Sequence, residues 1–326
     1  IISKVFLASM IGFNYFPGYN EIKDYLKRES KPDILIITNV EWIFGLSAKQ
    51  VLKDLNYAKC KVIWWNHSSL FPKLPTWMHI FGSQFVLSTT IKKLLKNIDA
   101  AFAISSGIKE QILKIDPNAK VYTVFNPLDS YNGSLIQRSK TPIFLYFGRI
   151  DDSQKNISFL LSGMSRIKKD WKLIIIGTGR DENKLKSLSN VLGISQRIEW
   201  RGFQAVPYAN LNEGITALLL TSKFEGLPMV LAEANQRGIP VISSDCQTGP
   251  SDIVIPGKNG YLYPEGNIGA FVKIINDIID GKLRFDTPEN ISKTSEKFSK
   301  DKINENIINA LREIISSSSN RSVTGK

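Results

Sequence analysis

Residues 216–245 read TALLLTSKFEGLPMVLAEANQRGIPVISSD. Two short apolar runs, TALLLT from Thr216 and PVISS from Pro240, have the length and composition of buried strands. Between them, Pro228 suits the first position of a helix and Gly238 suits the position just past its end, which predicts a helix of about ten residues. A strand, a helix and a second strand in this order predict a βαβ unit of a parallel sheet.

The alternation of short apolar runs and helical patterns extends over both halves of the chain. The runs begin at Asp33, Lys61, Asp99 and Lys120 in the first half, and at Ile143, Lys172, Arg197, Thr216 and Pro240 in the second. A segment rich in Pro, Gly, Ser and Asn, residues 126–142, separates the two sets and is interpreted as a linker. The sequence therefore predicts an α/β protein with two doubly wound parallel-sheet domains, at residues 1–128 and 129–300, and a terminal helix with a frayed tail at 301–326. Helical structure is expected after Gly260.

The composition limits the classes of protein. The chain has 326 residues, of which 43% are hydrophobic, so it is long enough for two globular domains. Its net charge of +12 favours an anionic partner, which can be nucleic acid, an acidic membrane surface or a phosphorylated substrate. Cys60 and Cys246 are too few for a disulfide framework, which favours a reducing compartment. Since His67 and His79 are its two histidines, no His-based metal site is expected.

No apolar run in the sequence has the length of a membrane span, so a soluble or peripheral protein is expected. In residues 77–97, aromatic side chains precede Lys92, Lys93 and Lys96. This pattern fits either a segment that lies on an anionic membrane or a packed helix with a solvated lysine face. His79, in the same segment, is interpreted as a packing residue.

The loops that follow the strands are the candidate site, because ligands of open parallel sheets bind beyond the carboxyl ends of the strands. Arg149 follows the first strand of the second domain, and Lys155 lies six residues further on. The two cations can bind one diphosphate, but they are also two of 42 basic residues and can simply be solvated. Gly148, Gly177 and Gly179 close two strands, where either a ligand approaches the backbone or the chain turns tightly.

Glu225 and Glu233 lie eight positions apart, one before the helix of the opening stretch and one inside it. The start of that helix offers amides to a phosphate group, and its residues are Gly226, Leu227, Pro228 and Met229. Eight residues of helix span about 12 Å, which is comparable to a sugar, a diphosphate and a ribose in sequence. Glu225 can then bind sugar hydroxyls and Glu233 ribose hydroxyls, although Glu233 can equally lie on a solvated face.

His67 directly follows the apolar strand KVIWW, at the carboxyl edge of the first domain. A histidine at this position can take part in a binding site or can serve packing alone. Both interpretations stay open at the level of the sequence.

Several motifs are absent from the sequence. It has no Asp-x-Asp triplet, which commonly holds a divalent metal against a nucleotide diphosphate, and neither a Walker A loop nor a G-x-S-x-G elbow. We therefore expect no metal and no cofactor. We then expect Arg149, Lys155 and the helix amides to neutralise the charge of a leaving diphosphate.

These loops, taken in order, resemble the retaining glycosyltransferases of family four. The resemblance rests on the E-x7-E pattern of Glu225 and Glu233, on GIPVISSD and TGPSDIVIPGKNGYLY after it, and on the cations of GRIDDSQK. AISSGIKEQI, TALLLTSKFEGLPM and ISSDCQTGPSDIVIPGKNG extend it, so that it covers most of the chain from about Lys31 to the helix after Gly260. It implies the GT-B fold, in which two Rossmann-like domains face a nucleotide-sugar cleft.

The resemblance also implies a reaction. A hexose, with galactose favoured, is transferred from a UDP-sugar to a hydroxyl of a lipopolysaccharide or other cell-surface glycan, with retention and without a metal. The implied sites are the donor sugar at Glu225 and His67, the ribose at Glu233, the diphosphate at Arg149 and Lys155, and the base along Arg201, Gly202 and Phe203. The implied location is the cytoplasm, peripheral on the inner face of the membrane, with an anionic membrane surface as a partner and no nucleic acid.

The sequence departs from this family at its start, because nothing before Lys31 has the pattern of the family's first strand and glycine-rich turn. This predicts a first domain that lacks its usual first βα unit. Two other functions remain open. One is a UDP-sugar 2-epimerase of the same fold, which needs no acceptor, and the other is a non-catalytic basic protein that binds membrane or nucleic acid.

Overall fold

The computed structural model describes residues 5–8, 32–38, 49–57, 59–70, 83–208, 211 and 214–316. The chain forms two compact units. The first comprises Ile1–Phe125 with Ile303–Lys326, and the second comprises Asn126–Lys302. Each unit is built on one parallel sheet, as the sequence predicts.

The strands of the first unit are β1 Val5–Ala8, β2 Ile34–Thr38, β3 Lys61–Asn66, β4 Ala100–Ala103 and β5 Val121–Thr123. Those of the second are β6 Ile143–Phe147, β7 Lys172–Ile176, β8 Ile198–Trp200, β9 Ala217–Leu220, β10 Val241–Asp245 and β11 Gly260–Pro264. The helices are α1 Ser83–Lys96, α2 Ser106–Ile115, α3 Asp152–Lys155, α4 Ile157–Met164, α5 Glu182–Val191, α6 Met229–Gln236, α7 Pro250–Ile253, α8 Ile268–Ile279, α9 Pro288–Lys293 and α10 Lys300–Ser316. Residues 49–54 are also helical, and Ser195–Arg197 and Glu296–Phe298 form 3-10 turns.

The first sheet has the order β1-β2-β3-β4-β5, and each neighbouring pair is parallel. Its strands are short apolar runs because both faces of a parallel sheet are covered. Strand β4, AAFA, is buried at every position. Cys60, which precedes β3, and Cys246 in the second unit are both free and buried.

Helix α10 packs on the first sheet. Its buried residues Ile303, Ala310, Leu311 and Ile314 have the spacing of one helical stripe. They share a hydrophobic core with β2 and β4, where Phe102 is fully buried. The predicted terminal helix is therefore present, but it belongs to the first unit and does not follow the second domain as a separate element. Residues 317–326, interpreted as a frayed tail, lie outside the described residues.

The second sheet has the order β11-β10-β9-β6-β7-β8, with all pairs parallel. The direction in which successive strands are added changes between β6 and β9: β7 and β8 follow on one side of β6, and β9, β10 and β11 follow on the other. The prediction of a doubly wound domain is confirmed here. Such a switch point opens a crevice at the carboxyl ends of the two central strands, and this is where ligands of open α/β sheets bind.

Two strands differ from the prediction. Strand β1 pairs with β2, Val5 opposite Ile34, so the expectation that no strand precedes Lys31 is wrong; residues 9–31 lie outside the described residues. Strand β11 occupies the segment expected to be helical after Gly260. Strand β11 was missed because the glycine and proline that bound GYLYP are typical of a loop. Strand β1 was missed because the sequence before Lys31 lacks the pattern of the family's first strand and glycine-rich turn.

None of the helices in the described part of the chain combines the length and the apolar character that a membrane crossing requires.

Candidate functional site

The loops after β6 and β9 are joined to each other at the switch point. The amide of Lys223 donates to the carbonyl of Gln154 at 2.9 Å, and Gln154 Nε2 donates to the carbonyl of Phe224 at 3.3 Å. Thr221 Oγ1 donates to the Lys155 carbonyl at 2.9 Å, so α3 is held against the chain that leaves β9. Sequence analysis missed Gln154 and Thr221. The sequence pattern that could have identified them is a polar residue after a predicted strand, and this pattern is weak because it is common in loops.

The central contact of this edge is an ion pair. Lys155 Nζ lies 2.7 Å from Glu225 Oε1, and the two side chains are only 16% and 8% exposed. A buried ion pair depends on both members, because removal of one leaves the other charge desolvated and unpaired. The sequence predicted different ligand groups for Lys155 and Glu225, and the structure brings the two residues into direct contact.

Arg149 lies beside this pair. Its guanidinium Nη2 donates to Gln154 Oε1 at 3.0 Å, and the side chain is exposed. Gln154 therefore joins the Arg149 side chain to the loop that carries Glu225. The structure places Arg149 and Lys155 at the same edge of the sheet, as the prediction of a shared anion requires. Their binding of a diphosphate stays a prediction.

The helix that follows Glu225 begins one residue later than predicted. Pro228 is the residue before helix α6, which starts at Met229 and has eight residues rather than about ten. Gly238 ends it with φ of +79°, as expected. Pro228 has no backbone N–H and cannot donate to a phosphate, so of the four predicted residues only Gly226, Leu227 and Met229 offer amides.

The loop before α6 is supported from β10. Thr248 Oγ1 donates to the carbonyl of Glu225, and Ser244 Oγ donates to the carbonyl of Ser222 at 2.6 Å. Gly249 has φ of +94°, and a Cβ there would overlap the carbonyl oxygen of Gly226. The chain that carries Glu225 is thus fixed by hydrogen bonds and by close backbone packing. Thr248 is a third supporting residue, after Gln154 and Thr221, that the sequence analysis missed.

Glu233, in the middle of α6, has different surroundings. It is half-buried, and burial raises the pKa of its carboxyl. The guanidinium of Arg237 acts in the opposite direction, while Asp129 adds to the increase in the pKa. Within the described part of the chain, no ion pair joins Glu233 to a cation. The interpretation as a fully solvated face is therefore wrong, and its role at a ribose stays a prediction.

Two of the three predicted glycines have an internal role. A Cβ on Gly177 would overlap the carbonyl oxygen of Gly148, and a Cβ on Gly179 would overlap that of Ile150. The amide of Ile150 also donates to the carbonyl of Thr178 at 2.9 Å. Close packing of two backbones therefore accounts for Gly177 and Gly179, a reason that differs from both interpretations of the sequence. The approach of a ligand to Gly148, Gly177 and Gly179 stays a prediction.

The loop predicted for the base follows β8. Arg201 forms a two-armed contact with Glu199, with Nε at 2.8 Å and Nη2 at 3.2 Å from the two carboxylate oxygens. The carbonyl of Gly202 accepts the amide of Gly177 at 2.8 Å, and the ring of Phe203 is 76% exposed. Of the three predicted residues, Phe203 thus has its side chain accessible.

His67 lies in the first unit, directly after β3. Its ring stacks on Trp65 with centroids 5.2 Å apart, and burial lowers the pKa of the imidazole, which favours the neutral form. Asn66 Nδ2 donates to the carbonyl of Ser68 at 2.8 Å and holds the turn that follows. This stack agrees with the interpretation of His67 as a packing residue. The contact of His67 with a sugar stays a prediction. His79 lies outside the described residues.

A second concavity, with a volume of about 750 Å³, lies at the amino ends of β3, β4 and β5. Lys49, Lys61, Lys96 and Lys120 line it together with Asp99. Lys49 and Lys61 lie 3.8 and 3.6 Å from Asp99, and α1 ends at Lys96, where a cation stabilises the helix C-terminus. These lysines have partners within the fold, so we assign no ligand to this cavity.

Known proteins resemble the chain in sequence. The family described as "Glycosyl transferases group 1" matches residues 131–298. The lipopolysaccharide 1,6-galactosyltransferase of Salmonella typhimurium is 44% identical over 195 residues, which are 57% of this chain and 54% of that protein. The Escherichia coli K12 protein of the same name is 37% identical over 223 residues, 65% of this chain and 62% of that protein. The chain thus spans between half and two thirds of the length of these relatives.

A solved structure matches as well. The lipopolysaccharide outer core galactosyltransferase WaaB in its apo form superimposes with a TM-score of 0.79 and 34% identity, over 90% of this chain and 79% of that one. A UDP complex of Anabaena HepE, at 16% identity and a TM-score of 0.71, supports the fold alone. The predicted GT-B class and the resemblance to the glycosyltransferases of family four are confirmed. Since the family match covers more than half of its residues, the chain belongs to the glycosyl transferases group 1 family.

Proposed function

We propose that this chain transfers a hexose, with galactose favoured, from a UDP-sugar to a hydroxyl of a lipopolysaccharide or another cell-surface glycan. The observation that carries the proposal is the Lys155–Glu225 ion pair at the switch point, directly before α6. A carboxylate that binds sugar hydroxyls must lie close to an anionic diphosphate, and an ammonium between the two offsets their repulsion. The galactosyltransferases among the similar proteins support the choice of sugar.

The donor diphosphate binds to the cations and amides of this edge. Arg149 supplies a planar guanidinium that can bind two phosphate oxygens, and Lys155 supplies a compact charge. The amides of Gly226, Leu227 and Met229 lie at the start of α6, where the helix dipole favours an anion. These groups neutralise the charge of the diphosphate without a metal, in keeping with a sequence that has no Asp-x-Asp triplet.

The rest of the donor binds along α6 and beside it. Glu225 accepts hydroxyls of the hexose, Glu233 accepts those of the ribose, and the base lies along Arg201 to Phe203. His67 contributes a neutral imidazole to the donor sugar. Because burial lowers its pKa, this ring can both donate and accept a hydrogen bond near neutral pH.

The transfer proceeds on one face of the sugar. The bond from the anomeric carbon to the diphosphate oxygen breaks, and the bond to the acceptor oxygen forms on the same side, which gives retention. A donor phosphate oxygen accepts the proton of the acceptor hydroxyl. Arg149, Lys155 and the amides before α6 stabilise the charge of the departing UDP. Stabilisation of developing charge by fixed dipoles and cations is usually the largest single contribution to catalysis.

The acceptor is carried by a membrane lipid, so the enzyme acts in the cytoplasm, peripherally on the inner face of the membrane. The net charge of +12 supports attraction to an anionic leaflet. Nucleic acid is not a partner in this proposal.

The test is a transfer assay with UDP-galactose and a truncated lipopolysaccharide acceptor in the presence of a chelator. We expect a new galactoside whose anomeric configuration, read by NMR, is that of the donor. Product with inverted configuration, or activity that requires added metal, would contradict the mechanism. Absence of product with UDP-galactose, UDP-glucose and their N-acetyl forms would contradict the function.

Two controls separate the alternatives. Incubation with a UDP-sugar alone detects a 2-epimerase, because epimerisation needs no acceptor. A thermal-shift measurement with UDP detects a nucleotide site, since a ligand that binds only the folded state raises the melting temperature. A protein that binds membrane or nucleic acid through charge alone would show no such shift.

A further inference from the structure

Arg237 follows helix α6 directly, one turn beyond Glu233. Its guanidinium lies between two aromatic rings, 4.4 Å from the centroid of Tyr131 and 4.3 Å from that of Tyr208. A planar guanidinium stacks on aromatic faces better than an ammonium does. Two ring contacts therefore restrict the position of this cation.

The two rings are themselves anchored. Tyr131 Oη donates to the carbonyl of Ser134 at 2.8 Å, within the segment that precedes β6. Tyr208 is buried and meets the ring of Phe147, the last residue of β6, edge to face at 5.7 Å. The clamp around Arg237 thus links the loop after β8 to the end of β6 and to the C-terminus of α6.

The hydrogen bonds of Arg237 do not go to the carboxylate of Glu233. Nη1 donates to the backbone carbonyl of Glu233 at 2.9 Å and to Gln236 Oε1 at 3.3 Å. Nε is buried and has no hydrogen-bond partner among the residues that the structure describes. The positive charge nevertheless acts on the Glu233 carboxyl and opposes the rise in pKa that burial causes.

This arrangement separates two tasks. A cation in direct contact would hold the carboxylate in its charged form but would also occupy its oxygens. A cation held nearby, with its own N–H groups directed elsewhere, favours the charged form and leaves the oxygens available. Glu233 is such a carboxylate, since the described residues give it no ion pair.

We propose that Arg237, clamped between Tyr131 and Tyr208, is a positioning residue that keeps the Glu233 carboxylate charged and free to accept the ribose hydroxyls of the donor nucleotide. This inference rests on the proposed function, because it requires a uridine nucleotide at α6. It adds to that function a residue that does not touch the ligand and acts through Glu233.

The experiment compares the affinities of UDP and 2′-deoxy-UDP by calorimetry, because their ratio isolates the contact with a ribose hydroxyl. We expect the wild-type chain to prefer UDP by about tenfold, as for one hydrogen bond to a charged acceptor. Arg237→Gln should reduce this preference to about twofold, and Arg237→Lys should retain an intermediate value because it keeps the charge. Glu233→Gln should lose the preference, and adding Arg237→Gln to it should change the ratio no further.

Arg197→Gln is the matched control. Arg197 also stacks on an aromatic ring, 5.2 Å from the centroid of Trp171, and donates to a backbone carbonyl, that of Lys169, at 2.9 Å. Its loss should leave the ratio of the two affinities unchanged. Melting temperatures of all variants show that each chain is folded.

The outcomes are distinct. If Arg237→Gln weakens UDP and 2′-deoxy-UDP by the same factor, the residue is only structural and the inference is wrong. If Glu233→Gln loses the preference and Arg237→Gln keeps it, the inference alone fails and the nucleotide site stands. If the wild-type chain binds neither nucleotide, the proposed function fails, and the role of Arg237 with it.

Discussion

Glu225 and Glu233 belong to one motif, yet their surroundings are opposite. The Glu225 side chain is 8% exposed, and its charge is matched by Lys155 at 2.7 Å. Glu233 is half-buried, no ion pair to it occurs among the described residues, and burial raises the pKa of its carboxyl. One charge is balanced within the protein, and the other is left with free oxygens.

The same residue type can therefore stabilise or destabilise the folded state, depending on its surroundings. Removing the partner of Glu225 leaves a buried charge alone, which destabilises the folded state. Removing the charge of Glu233 relieves a desolvation cost, which stabilises the free protein. A stability measurement on single variants therefore distinguishes the two glutamates before any assay of activity.

The largest effect is expected for Lys155→Met. It leaves Glu225 buried and unpaired, which lowers the free energy of unfolding by about 3 kcal/mol. It also removes a cation from the proposed diphosphate site, so transfer should slow by a factor on the order of a hundred. Urea unfolding and initial rates with UDP-galactose measure the two effects.

Lys184→Met is the control for this variant. Lys184 pairs with Asp152 at 3.3 Å, but its side chain is 68% exposed. Its loss should change the free energy of unfolding by no more than about 0.5 kcal/mol. If Lys155→Met changes the free energy of unfolding by as little as Lys184→Met does, the Lys155–Glu225 ion pair does not stabilise the site.

The next effect is a recovery. Lys155→Met combined with Glu225→Leu removes both charges, and replacing a buried ion pair by apolar residues is often neutral for stability. We expect the double variant to regain most of the free energy of unfolding that Lys155→Met loses. Its transfer rate should stay as low as that of the single variant. If the double variant is less stable than Lys155→Met, the unpaired charge of Glu225 is not the cause of the stability that Lys155→Met loses.

A smaller effect is expected for Glu233→Gln. The folded-state pKa of this carboxyl is raised, so its contribution to stability is present at acid pH and is lost as the pH rises through that pKa. At neutral pH the glutamine variant should therefore melt higher than wild type, by a few degrees at most. UDP should bind about tenfold more weakly. Glu305→Gln, on the exposed side of α10, should change neither quantity.

The smallest effect is a pH dependence of binding. A glutamate in a model peptide has a pKa of about 4.3, and the pKa of Glu233 is raised above its ordinary value. As the pH is lowered toward this raised pKa, Glu233 becomes protonated and the UDP affinity of the wild-type chain should fall. UDP itself titrates in this region, and the comparison with Glu233→Gln removes that contribution. Identical pH profiles for the two proteins would mean that Glu233 does not contact the nucleotide.

Much of the fold was predictable from local pattern. Strands β2 to β10 are apolar runs bounded by polar residues, and each was expected close to where the structure has it. Strand β11 was not predicted because its bounding glycine and proline are typical of a loop, and β1 because the segment before Lys31 lacks the pattern that the family has there. The packing of α10 on the first sheet was not predictable, since its apolar stripe fits any apolar surface.

The candidate site was predictable in its position but not in its contacts. The rule that ligands bind at the carboxyl edge of a parallel sheet led to Arg149, Lys155 and Glu225. The supporting roles of Gln154 and Thr248 depend on loops that meet only in the folded chain. The inability of Pro228 to donate an amide follows from its chemistry alone.

The alternation of strands and helices and the interval between Glu225 and Glu233 follow directly from the sequence, because both are local properties of the chain. Which of the two glutamates has a counterion depends on the packing of the folded chain. Lys155 and Glu225 are 70 residues apart, and they meet because the strand order places β6 beside β9, although two strands lie between them in the chain. Such a reversal is set by the packing of the whole sheet, and no local pattern encodes it.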